Sequence, residues 1–278
     1  MLFNYHPLQP DRLRLLKPVA ITQDFLAFEI SHHPRTAAPS YTAFSYTWGD
    51  GATTEQIVLN AQTFNVDAIC IDQNNAEERN AQVRFMDQTY RNAIVVSVWL
   101  GLPPIPKFLE AQFANYCKPI KTYEYEGFNW SDSIEDLANR PYWSRFWVVQ
   151  EFLLGQDVQL YCGKSCMNWS DFKSILGTQT DVHDCFEEHV HYAHSSSGSW
   201  TAWPLVTGRH PDKHPKMQQS LYRLLITYET SQCKNPRDRV FALLGLVTAE
   251  ERVLLENSYP ITTWLRMTLC SSHFATFG

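Results

Sequence analysis

With 278 residues, 44% of them apolar and 19% charged, the chain is able to build one large domain or two small ones around a sizeable core, and wholesale disorder is excluded. A formal net charge of −6 and no basic stripe argue against nucleic acid as a partner, since a phosphate backbone needs clustered Lys and Arg. No stretch approaches the ~18 apolar residues of a membrane span, and Met1 to Lys17 lacks a signal-peptide core, carrying Asp11, Arg12 and Arg14 instead. Seven cysteines without a secretory signal fit a reduced compartment, so a cytoplasmic location is expected.

Leu13–Leu16 and Phe25–Ile30 read as an edge hairpin at the N-terminus. Tyr41–Thr47 is aromatic and β-branched, and it ends at the turn signal Trp48-Gly49-Asp50-Gly51. Ile57–Leu59 is a short strand, and Asp67–Ile71 is apolar enough to be a central one. Asn75 with Glu78 forms a capping box ahead of a helix that places Val83, Met86, Tyr90 and Ala93 on one face. Ile94–Leu100 then reads as a strand buried on both faces, which completes a βαβ unit and implies a parallel sheet. A helix is expected from Pro141 to about Leu154, a strand over Asp157–Cys162, and a short helix from Trp169. Residues 179–216 are rich in His, Ser and Pro without a period and read as a loop or insertion. Leu221–Tyr228 and the segment after Asn235-Pro236 are helical. The expected fold is α/β: a parallel-centred sheet flanked by helices, with a core over 1–178 and a C-terminal helical part over 217–278.

Four segments in this order resemble the fungal HET (heterokaryon-incompatibility) domain family. They are Tyr41-Thr-Ala-Phe-Ser-Tyr-Thr-Trp-Gly-Asp50, Asp67-Ala-Ile-Cys-Ile-Asp-Gln73, Arg140-Pro-Tyr-Trp-Ser-Arg-Phe-Trp-Val-Val-Gln-Glu151 and Pro236-Arg-Asp-Arg-Val-Phe-Ala-Leu-Leu-Gly245. The lead-in Arg14-Leu15-Leu16, the Glu78-Arg79 pair and Trp99-Leu100-Gly101 are similar too. The resemblance implies a Rossmann-like, TIR-like fold and a role in non-self recognition and programmed cell death. It also implies a protein partner that triggers the response. One departure stands out: family members place a helix between the Ile57 strand and the Asp67 segment, whereas here Asn65-Val66 runs straight into Asp67. Two parallel neighbours need a crossover of a dozen residues or more. Either these strands pair differently or a helix is missing, and a missing helix would leave one sheet face bare.

Glu151 is the candidate catalytic residue. On one continuous helix it falls four residues after Trp147 and eight after Trp143, on an aromatic stripe where an unpaired carboxylate is costly and its pKa rises. Ser144 to Glu151 is similar to the stretch that supplies the NAD-cleaving glutamate of TIR enzymes, which by analogy makes NAD a candidate substrate. The alternative is structural: Glu151 pairs with Arg140 or Arg145, or accepts backbone hydrogen bonds. Asp72 and Gln73, and Trp48, Gly49 and Asp50, are candidate pocket groups beyond the carboxyl ends of strands, and Trp147 or Trp48 is a candidate stacking surface for a nucleotide. The alternative for Asp72 is a turn or cap. Asp238 is suited to the first turn of its helix. His189-x-His191-x-x-His194 matches no standard zinc spacing, and no metal is expected. Three functional readings are open: a cell-death signalling module, an NAD-cleaving effector, and a non-catalytic adaptor that forms homo-oligomers.

Overall fold

A computed structural model describes residues 5–21, 26–47, 56–59, 62–65, 69–101, 135–162, 165–178, 200–209 and 218–258. Two four-stranded sheets organise them, one in the order β1-β2-β4-β5 and the other in the order β3-β6-β7-β8. In the first, β1 (Arg12–Ile21) and β2 (Leu26–Pro34) form the expected antiparallel hairpin. The parallel contact of β2 with β4 (Gln56–Leu59) is confined to Ala27 opposite Val58 and Phe28 opposite Leu59.

The problem posed by the short stretch before Asp67 is resolved by a different pairing. β4 folds back antiparallel on β5 (Gln62–Asn65), so no parallel crossover is needed there. The described part of the Asp67–Ile71 segment is a turn and bend rather than a central strand. Its carbonyls are taken by side chains: Tyr5 Oη donates to Ile69 O at 2.9 Å and Arg14 Nη1 to Cys70 O at 3.3 Å.

The second sheet carries the parallel centre. β3 (Thr42–Tyr46) runs parallel to β6 (Val95–Trp99), which runs parallel to β7 (Val158–Cys162), and β8 (Ser165–Asn168) returns antiparallel. The α/β class is therefore right, with a mixed sheet, but the strand preceding the helix of the βαβ unit is β3, not Asp67–Ile71. The connecting chain includes α1 (Ala76–Arg84) and α2 (Met86–Asn92), broken at Phe85. Asn75 caps α1, its side chain accepting from the backbone N–H groups of Glu77 and Glu78, each at 3.1 Å.

The helix expected from Pro141 begins later. Pro141–Ser144 is a 3-10 turn, Arg145 is extended, and α3 runs over Val148–Leu154. Around Arg145 the chain pairs with Gln232: Phe146 N donates to Gln232 O at 2.8 Å and Gln232 N to Ser144 O at 2.6 Å. That bridge interrupts the helix, so Trp143 does not share a helical face with Glu151. Trp143 lies instead at the centre of the core, stacked on Phe172 and edge-on to Tyr142 and Phe152.

Further helices are α4 (Trp169–Thr178), α5 (Trp203–Gly208), α6 (Leu221–Thr227), α7 (Asp238–Phe241) and α8 (Ala249–Ser258). α5 lies inside the segment read as a loop, and Arg209 just after it is buried. Its guanidinium donates to Phe152 O, Gly155 O and Gln156 O at 3.0, 2.7 and 2.9 Å, closing the carboxyl end of α3.

One face of the second sheet is packed and the other is partly open. Ala43, Ser45, Val96, Val98, Val158 and Leu160 point to the packed face, which α3 contacts at β3 and β6. On the opposite side Phe44 is 69% and Trp99 38% exposed. Ile94–Leu100 is thus not buried on both faces.

Candidate functional site

Glu151 sits on the inward side of α3 with 4% of its surface exposed. Alternation along β3 brings Ser45 beneath it, since Ala43 and Ser45 face inward while Phe44 faces out. Ser45 Oγ donates to Glu151 Oε2 at 2.5 Å and lies 2.7 Å from Tyr142 Oη, which comes from the 3-10 turn. Arg145, at the end of that turn, donates through Nη1 to Tyr46 O and places its charge near the carboxyl. Tyr90 of α2 donates to Phe44 O at 3.0 Å and is also close enough to feel Glu151.

This arrangement sets opposing forces on one proton. Burial pushes the Glu151 carboxyl above its ordinary pKa, while the Arg145 charge and the Ser45 hydrogen bond pull it back without cancelling the rise. Burial, reinforced by the Glu151 charge, raises both Tyr142 and Tyr90 well above the usual phenol value, so both phenols stay protonated at neutral pH. The chemistry available is that of a single carboxyl whose pKa is raised, hydrogen-bonded by the Ser45 hydroxyl, which Tyr142 backs in turn, and attracted by the Arg145 charge.

Between the two structural partners anticipated for Glu151, Arg140 is engaged by Asp136 at 2.6 Å, and Arg145 acts on Glu151 through its charge. Trp147 is half-buried at the start of α3, and its indole hydrogen-bonds to Asp238 of α7, whose carboxyl burial raises and Trp147 lowers. Asp72 and Gln73 are not at a strand end. They form the turn before α1, where Asp72 Oδ1 accepts from Asn74 N at 3.0 Å, the turn role set beside the pocket role for that residue. Trp48, Gly49 and Asp50 lie outside the described residues, as does the His189–His194 cluster.

Sequence reasoning missed Ser45, Tyr142 and Tyr90. A usable signal for Ser45 was its place in the alternation, as a hydroxyl on the same strand face as Ala43. Tyr142 had none, because its position depends on the break at Arg145.

A second polar centre joins the first sheet to α1. Arg14 and Glu78 are both buried and ion-paired, Nη2 to Oε2 at 2.9 Å, and Glu78 also accepts from Asp72 N at 2.8 Å. Arg14 reaches His6 O at 2.6 Å and donates through Nε to His32 Nε2 at 3.2 Å, with its guanidinium over the Tyr5 ring. Burial opposes ionisation of Glu78, but the Arg14 hydrogen bond, the Asp72 N–H and the Arg14 charge together hold the carboxyl below its ordinary value. This explains Arg14 and Glu78 as fold-holding residues. Among the described residues no helix is long and apolar enough to cross a membrane.

The family model described as Heterokaryon incompatibility protein (HET) matches residues 58–151, a range that closes on Glu151. Heterokaryon incompatibility protein 6, OR allele, of Neurospora crassa is 25% identical over 342 residues, taking in 91% of this chain and 50% of that protein. The chain thus spans about half the length of the curated relative it matches. That alignment is longer than the chain's own 278 residues, so the relative carries inserted segments that this chain lacks. No solved structure matches the chain. Both findings support the fungal heterokaryon-incompatibility family to which the motifs point.

Proposed function

We propose that this chain is a response module of fungal incompatibility, which on recognition of a non-self protein partner drives programmed cell death through the centre around Glu151. The observation that carries this reading is a buried carboxyl of raised pKa, assembled from two of the motif segments, at the end of the family match. A carboxylate in an apolar layer costs stability, and sites of function are where such costs persist. The test is inducible expression in a filamentous fungus. Loss of viability with the wild type and survival with Glu151→Gln, at equal levels of folded protein, supports the reading, and equal effects of the two chains overturn it.

A second reading makes the centre an enzyme that hydrolyses NAD. The observation favouring it is that Glu151 hydrogen-bonds to Ser45 near the carboxyl end of a parallel strand, where ligands bind in α/β sheets. In that reaction the bond between nicotinamide and ribose C1′ breaks and water adds to C1′. Glu151 takes the water's proton and returns it to solvent, releasing nicotinamide and ADP-ribose. With 4% of Glu151 exposed, the site is closed to a molecule of nucleotide size, so turnover requires opening, a step suited to control by a partner. Nicotinamide release from NAD by the wild type but not by Glu151→Gln supports this reading. No release from a cooperatively melting wild type, alone or with its triggering partner, removes it.

A further inference from the structure

We infer that Ser45 is the positioning residue of Glu151, forming with Tyr142 a three-membered hydrogen-bond chain that is matched to the ionised carboxyl. Its catalytic consequence rests on the reading of Glu151 as the group that takes a proton.

The inference follows from counting protons. Ser45 Oγ lies 2.5 Å from Glu151 Oε2 and 2.7 Å from Tyr142 Oη, and each hydroxyl carries one proton. With Glu151 ionised, Tyr142 donates to Ser45 and Ser45 donates to Oε2, so both donors are satisfied. With a proton on Oε2 donated to Ser45, either Ser45 donates to Tyr142 and the Tyr142 proton loses its acceptor, or Ser45 accepts from both neighbours and its own proton loses one, in a site 1% exposed. A proton on the other carboxyl oxygen leaves Ser45 donating to a neutral acceptor, a weaker bond. Either way the chain favours the charged form.

The surroundings make that preference costly to lose. Ser45 is 1% exposed on a sheet face otherwise built from Ala43, Val96, Val98, Val158 and Leu160. A serine in such a layer gains little from packing, and its hydroxyl is compensated by its two polar neighbours. The other titratable or charged groups acting on the site are Arg145 beyond the turn, Tyr90 from α2 and Tyr46 from β3. Of these, Arg145 alone carries a charge at neutral pH. Arg145 supplies long-range attraction and Ser45 supplies direction, fixing Oε2 and leaving the other carboxyl oxygen to meet a water.

The test is titration of Glu151 by carbon NMR in protein labelled at glutamate carboxyls, with Glu151→Gln used to assign the signal. Ser45→Ala is expected to raise the pH at which Glu151 titrates, weakening its acidity roughly tenfold or more, the worth of a hydrogen bond to a charged group. Ser45→Thr, which keeps the hydroxyl on a β-branched residue suited to a strand, is expected to restore it. Tyr142→Phe is expected to shift it the same way by less, and it serves if Ser45→Ala does not fold. The low-pH limb of nicotinamide release is expected to move with the titration. An unmoved titration in folded Ser45→Ala or Tyr142→Phe overturns the inference, whatever the wild type does to NAD. A titration that moves in a protein that releases no nicotinamide, alone or with its triggering partner, sustains the chain of hydroxyls and removes the NAD reading.

Discussion

Replacing Glu78 with alanine is expected to cost about 3 kcal/mol of stability at neutral pH. The Arg14 side chain is fully buried and that of Glu78 nearly so, so Glu78→Ala leaves a guanidinium in the interior without its counter-charge. Removing one partner of a buried pair typically costs ~3–5 kcal/mol. The low end is expected here because Arg14 keeps His6 O, Cys70 O, His32 and the Tyr5 ring, although Asp72 N also loses its acceptor. The pH dependence has a definite sign. The folded-state pKa of Glu78 lies below the ordinary 4.5, so the contribution is complete above that value and is lost as pH falls through the folded-state value. Urea denaturation at pH 7 and at pH 4 or below measures both effects. The gap between wild type and variant is expected to narrow in acid. A gap under about 1 kcal/mol at pH 7, the range of an exposed pair, or one that does not narrow, refutes the buried-pair account.

Glu151→Gln is expected to leave stability unchanged or raise it. Because burial lifts the folded-state pKa, the wild type is favoured below the ordinary 4.5 and loses stability as pH rises through the folded value. Thermal melts at pH 7 check this, and a marked loss contradicts it. Gly245→Ala is expected to destabilise by ~1–3 kcal/mol in denaturant titrations, because the added methyl would meet Asp87 Cβ and Leu154 Cδ1. Arg209→Lys is expected to cost ~2 kcal/mol by the same assay, since one ammonium does not reproduce the fork that holds four carbonyls at the end of α3. Phe44→Ser, on the open side of β3, is expected to change stability by no more than ~0.5 kcal/mol.

What was legible in the sequence was local. The hairpin β1–β2, the strands β3, β4, β6 and β7, the Asn75 cap and the helix after Trp169 all follow from alternation, caps and turn residues. The errors came where tertiary contacts overrode local pattern. Asp67–Ile71 has strand composition, yet Tyr5 and Arg14 take the carbonyls of Ile69 and Cys70. Pro141–Leu154 has helical periodicity, yet the pairing of Arg145 with Gln232, 87 positions on, breaks it. Within the stretch 179–216, the described residues 200–209 hold α5 and the Arg209 cap, which the sequence did not announce, because a buried guanidinium bonded to carbonyls leaves no periodic trace. Glu151 was visible as a carboxyl beside buried aromatics, but its partner Ser45 and the Tyr142 hydroxyl behind Ser45, 106 and nine positions away, required the fold.

The centre around Glu151 is tested most directly by counting viable fungal cells after induction of the wild-type chain and of Glu151→Gln, with the folded amount of each matched. The account predicts death with the wild type and survival with the variant, whose stability is undiminished. Death with both chains would contradict it, because the buried carboxyl would then be no part of the response.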